Sequence, residues 1–112
     1  MKRVQDALYP TEIPAFAHVW RASTEYPTPP AQYLTYTTLT MEAGHLDDAL
    51  VSYRHYVYLT LWSTGDVTGT IPVVRAAMRE AGFGMDEERT DYEEDTKTFL
   101  VIWTWVGTEE VA

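Results

Sequence analysis

The longest alternating run in the chain lies between Ala49 and Ser63. Val51, Tyr53, His55, Val57, Leu59 and Leu61 fall on one side of it, and Ser52, Arg54, Tyr56, Tyr58, Thr60 and Trp62 on the other. A period of two predicts a strand whose first face is core and whose second is partly polar and aromatic. At about 3.3 Å per residue this strand reaches roughly 50 Å, far beyond the five or six residues of an ordinary strand. It must either bend at a bulge or project from its domain.

The remaining elements are shorter. Val4, Ala7 and Leu8 have the spacing of a small amphipathic helix over residues 2 to 9, stopped by Pro10. Ala15 to Trp20 alternates as a short strand, and Ser23 to Ala31, with Pro27, Pro29 and Pro30, reads as an extended loop. Tyr33 to Thr40 is dense in aromatic and β-branched residues and predicts a strand, whereas Met41 to Asp48, with Gly44 and two acids, predicts a loop. Ile71, Val74, Ala77, Met78 and Ala81 form one apolar helical stripe, with Thr70 as the N-cap candidate, Pro72 in the first turn and Gly82 past the end. Phe83 to Thr90 reads as a strand leading into an acidic turn. Thr96 to Val106, apolar on both sides, reads as a strand central in a sheet or covered by a partner. The order of helix, three strands, helix and two strands predicts an α+β fold: a largely antiparallel sheet of four to five strands in a single domain spanning residues 1–112, its helices on one face.

Composition narrows the function classes. The chain carries 17 acidic against 8 basic residues, a formal charge of −9, which disfavours phosphate backbones and anionic membrane surfaces. The acidity is local. Asp86, Glu87, Glu88, Asp91, Glu93, Glu94 and Asp95, offset by Arg89, contribute −6 and leave −3 for everything else. With no Cys there are no disulfides, thiolate metal sites or cysteine nucleophile. Val4-Gln5-Asp6 interrupts any signal-like start at Met1-Lys2-Arg3, and the longest apolar run is only Phe99 to Trp103, so neither a simple signal nor a spanning helix is expected.

Catalytic and cofactor chemistry find little support. His18, His45 and His55 lack the spacing of a metal pair, with His55 expected as a satisfied core histidine and His45 as an exposed loop residue. Gly65-Asp66-Val67-Thr68-Gly69 lacks the Lys-Ser/Thr ending of a phosphate loop, and the acidic run lacks the spacing of a calcium loop. No catalytic, metal or cofactor residue is assigned, and the chain is not expected to be an enzyme. Tyr53, Tyr56, Tyr58, Trp62, Trp103 and Trp105 are more large rings than two strands of so small a domain can cover, which favours self-association.

The succession of a short helix, Pro29-Pro30-Ala31-Gln32-Tyr33-Leu34-Thr35-Tyr36, the long strand Tyr53 to Trp62, a helix ending Ala81-Gly82-Phe83, and Thr90 to Thr96 before a last apolar strand resembles the tail terminator, or tail completion, proteins of long-tailed bacteriophages. The resemblance implies an α+β subunit of the virion tail, assembled in the host bacterial cytoplasm. Its hexameric ring would cap the tail tube, stop its polymerisation and present a surface to the head–tail connector protein. It implies no catalytic residues, no cofactor, no sequence-specific nucleic acid and no membrane. Tyr56, Tyr58 and Trp62 are the candidate subunit or tail-tube contacts, and residues 86 to 95 the candidate acidic surface facing solvent or the ring lumen, where charge of that sign would repel passing DNA. A head-side neck or stopper protein, and a small α+β dimer binding an apolar ligand, are the alternatives.

Overall fold

The computed structural model describes residues 2–46 and 49–110. It is an α+β fold with helix α1 (Lys2–Leu8), strands β1 (Ala15–Ala17), β2 (Gln32–Leu46) and β3 (Ala49–Ser63), helix α2 (Thr70–Glu80), and strands β4 (Gly84–Glu93) and β5 (Thr98–Glu110). The five strands form one sheet in the order β1-β2-β3-β5-β4. Only the β1–β2 pairing is parallel.

Both helices lie on one face. Val4, Ala7 and Leu8 of α1 and Val74 and Met78 of α2 are buried against Leu34 and Tyr36 of β2, Val57, Leu59 and Leu61 of β3, and Val101, Trp103 and Trp105 of β5. Removing this apolar surface from water is the principal force holding the layers together, at about 25 cal/mol per Å². Several polar groups at the layer boundary are paired. Gln5 Nε2 donates to the Tyr36 hydroxyl at 2.6 Å, and Gln32 joins the start of β2 to Ser63 and Thr70.

Several boundaries differ from those the sequence predicts. A short 3₁₀ turn, Tyr9–Thr11, follows α1. Strand β1 stops at Ala17 because His18 adopts a left-handed conformation with φ 68° and turns the chain away. Strand β2 continues through the expected loop to Leu46, because β3 supplies a ladder of partners that outweighs the weak local pattern. Gly44 marks the shifts of register in that ladder, a bulge rather than a strand end. Asp47 and Asp48, and the side chain of Val51, lie outside the described residues. Thr70 does not cap α2. Gly69 occupies that position, and the Thr70 hydroxyl donates to Gln32 Oε1 at 3.1 Å.

The end of α2 follows expectation. Gly82 has φ 92° and donates to the Arg79 carbonyl, while Phe83 donates to that of Met78. These paired bonds close the last turn and aim Phe83 into the core. Arg3 then lies 4.3 Å from the Phe83 ring centroid. Gly107 admits this ring, since a Cβ there would sit 2.9 Å from two of its carbons and 3.2 Å from Arg3 Nη2. Gly107→Ala is therefore expected to lose about 1–3 kcal/mol, seen as a lower urea midpoint with an unchanged slope.

The radius of gyration is 15.6 Å and the longest extent 53 Å, against a radius of about 13 Å for a compact chain of this length. The excess is an arm. Beyond Tyr36 in β2, before Val57 in β3 and beyond Gly107 in β5, the three strands run on together past the buried cluster. At the base of the arm Thr40 Oγ1 lies 2.8 Å from Nδ1 of the buried His55 and Glu109 Oε2 lies 2.7 Å from its Nε2. A carboxylate only accepts, so Nε2 donates to Glu109, and Nδ1 shares its hydrogen bond with the Thr40 hydroxyl. His55 thus ties the three strands together as a satisfied structural histidine.

Candidate functional site

Alternation along the strands sends every second side chain away from the helices. On that opposite face Tyr33, Trp62 and Leu100 form one cross-strand row, Thr37, Tyr58 and Thr104 another, and Leu39, Tyr56 and Val106 a third. Met41, Arg54 and Thr108 continue it into the arm. No helix among the described residues covers this face, and only its Tyr33 end is overlaid, by Phe16 of β1 and Tyr26 of the loop after it. The three candidate contacts Tyr56, Tyr58 and Trp62 therefore share one surface, with Tyr58 exposed and the other two half-buried. Trp62 stacks on Tyr33 with centroids 6.0 Å apart and planes within 7°, and its Nε1 donates to Thr35 Oγ1 at 2.9 Å. Leu39 and Met41, which sequence reasoning did not single out, are exposed beside Tyr58 and Tyr56. The signal for Leu39 was the alternation of β2 itself; Met41 was hidden by the expected loop.

Behind the Tyr33–Trp62 stack lies a cavity of about 540 Å³ bordered by Pro29, Pro30, Thr64, Glu93 and Thr96. Burial, with the nearby Glu93 carboxylate second, raises the Tyr33 hydroxyl above its ordinary pKa.

The acidic segment is an edge strand and its following turn, not a turn alone. Six of its acids, Asp86, Glu87, Asp91, Glu93, Glu94 and Asp95, are exposed. Glu88 departs from them. A bulge between Met85 and Glu87 shifts the register by one residue and places Glu88 opposite Trp103, on the helix-bearing face. There it accepts from Arg75 Nε at 2.7 Å and Nη2, and from the Trp103 indole N–H. The Arg75 hydrogen bonds hold the Glu88 carboxyl below its ordinary pKa against the opposing effect of burial. Glu88 is a structural anchor, so the exposed acidic surface comprises the other six.

The remaining candidates for chemistry have ordinary explanations. In the turn before α2, Asp66 Oδ1 accepts from the Thr68 N–H at 3.0 Å and hydroxyl at 2.7 Å, filling the turn with its own carboxylate. His45 is exposed at the end of β2, 3.6 Å from Glu42. Among the described residues no three metal-ligating side chains come together, and no helix is long and apolar enough to cross a membrane.

No protein-family model matches this chain, and no curated protein matches it significantly.

Proposed function

We propose that this chain is a structural subunit of a phage tail, a terminator whose ring caps the tail tube, stops its growth and receives the head connector. The observation that carries this reading is the sheet face opposite the helices, on which Tyr56, Tyr58 and Trp62 align and which continues along a projecting arm. Exposed aromatic and aliphatic side chains in register are the material of protein interfaces. The six exposed acids suit a surface past which DNA slides without binding.

Addition of the purified protein to polymerising tail-tube subunits is expected to arrest tubes at short length, with rings at their ends in electron micrographs. Tubes that grow without limit would overturn the proposal. The cavity behind Tyr33 and Trp62 favours the apolar-ligand dimer as the second reading. Unlimited tube growth together with a ligand-dependent rise in melting temperature would select it.

A further inference from the structure

At the end of the sheet away from the arm, the cavity of about 540 Å³ draws its lining from four neighbouring strands. Tyr33 of β2 pairs with Trp62 of β3, and Trp62 with Leu100 of β5. Two residues before Leu100, Thr98 pairs with Glu93 of β4. Alternation therefore sets Glu93 and Thr98 on the same face as the two rings. Pro29 and Pro30 border the cavity from the loop before β2.

The rings are held in place. Trp62 stacks on Tyr33, Phe16 meets Tyr33 edge-on with centroids 6.0 Å apart, and Trp62 Nε1 is committed to Thr35 Oγ1. With its N–H used, the indole offers the cavity π surface rather than a donor. Aromatic faces are the negative side of the ring quadrupole and attract cations, Trp most strongly.

Glu93 adds a full charge of the same sign. It is the only charged side chain among the described residues that line the cavity, and Lys97, the base of the following turn, is not one of them. Thr96 Oγ1 donates to Glu93 Oε1 at 3.1 Å, which orients the carboxylate and leaves Oε2 to accept from a ligand. The exposed Asp91, Glu94 and Asp95 flank it in the chain and extend the negative potential.

Other ligand classes meet obstacles. An anion is repelled, and a divalent cation finds one carboxylate where it needs several oxygen ligands. An uncharged apolar ligand would cover the carboxylate without replacing its water. An ammonium supplies charge but is strongly hydrated and has no flat face. A guanidinium is planar and weakly hydrated, stacks on an aromatic face, and donates from its edge to a carboxylate.

The geometry points to a guanidinium-binding site in this cavity, with the Tyr33–Trp62 pair as stacking surface and Glu93 as acceptor. The inference rests on the cavity alone and requires neither tube capping nor a dimer. A free small molecule and an arginyl side chain of a partner protein present the same group, and the test separates them.

Isothermal titration of the full chain with n-butylguanidine and with the peptide acetyl-Gly-Gly-Arg-Gly-Gly-amide is expected to show saturable binding. Tighter binding of the peptide identifies an arginyl side chain as the occupant, and otherwise the occupant is a free molecule. The peptide with neutral citrulline in place of arginine should bind at least about tenfold more weakly, and the lysine peptide should also bind less well. Glu93→Gln and Trp62→Leu should each weaken binding at least about tenfold. Glu87→Gln removes the same charge from the same face about 20 Å along β4 and should leave binding unchanged. Circular dichroism and melting check the fold of Trp62→Leu, while the exposed Glu93 can change without disturbing packing. No saturable binding of either guanidinium probe would overturn the site, as would a citrulline or lysine peptide that binds as tightly as the arginine one. So would an equal loss on Glu87→Gln and Glu93→Gln, which reports charge alone. None of these results bears on whether the chain caps tubes.

Discussion

Replacement of Trp103 by Ala is expected to cost about 3–5 kcal/mol, the range for emptying a buried aromatic site. Trp103 is fully buried at the middle of β5, beside Leu59 of β3 and Glu88 of β4, where all the layers meet. The substitution leaves a cavity that rigid neighbouring strands cannot collapse into, and it strips a hydrogen bond from Glu88. Against a total stability of about 5–15 kcal/mol, such a loss brings the chain close to unfolding at growth temperature. Trp103→Phe retains most of the ring and loses mainly the N–H, so its cost should be smaller by half or more. Urea unfolding followed by far-ultraviolet circular dichroism gives both values. Equal effects of the two substitutions would show that the indole hydrogen bond, rather than packing, dominates at this site.

The second large effect concerns the acid that holds Trp103 and Arg75. Glu88→Gln removes the charge from a half-buried pair and leaves the guanidinium with a weaker acceptor, a loss of about 2 kcal/mol at neutral pH. The pH dependence carries a definite sign. Hydrogen bonds from Arg75 hold the Glu88 pKa in the folded chain below its ordinary value. Its contribution to stability is therefore complete above the unfolded pKa of about 4.3 and disappears as the pH falls through the lower folded value. Wild-type stability should drop more steeply with acidification below that point than the stability of Glu88→Gln, and the two curves should converge in acid. Parallel curves across this window would show that Glu88 does not titrate as a bonded carboxylate.

Elements whose burial follows one clear period were legible in the sequence. The alternation from Ala49 to Ser63 gave β3 its observed bounds, and the stripe from Ile71 to Ala81 located α2 together with its glycine stop. Failures occurred where a distant partner decides the local conformation. Met41 to Leu46 is strand because β3 lies beside it, and Gly44, which looked like a breaker, is accommodated as a bulge. The same cause hid the role of Glu88. Strict alternation from Met85 would turn Glu88 toward the open face, and the extra residue at Asp86 reverses it. Of the candidate surface, Tyr56, Tyr58 and Trp62 were legible as one face because they share a strand. Leu39 joins them only through cross-strand pairing with Tyr56.

Strands β2, β3 and β5 pass from the core into the arm without interruption of the chain, and the Thr40–His55–Glu109 tie joins all three where the helices stop. No flexible linker intervenes at that point. The arm is accordingly a cantilever rather than a tether: a load at its outer end is borne by hydrogen-bond ladders in shear and delivered to the packed layers around Val57 and Trp105. A neighbour held by such an arm is fixed in angle as well as in distance, the mechanical property that separates a closed ring of definite size from a chain of loosely strung subunits.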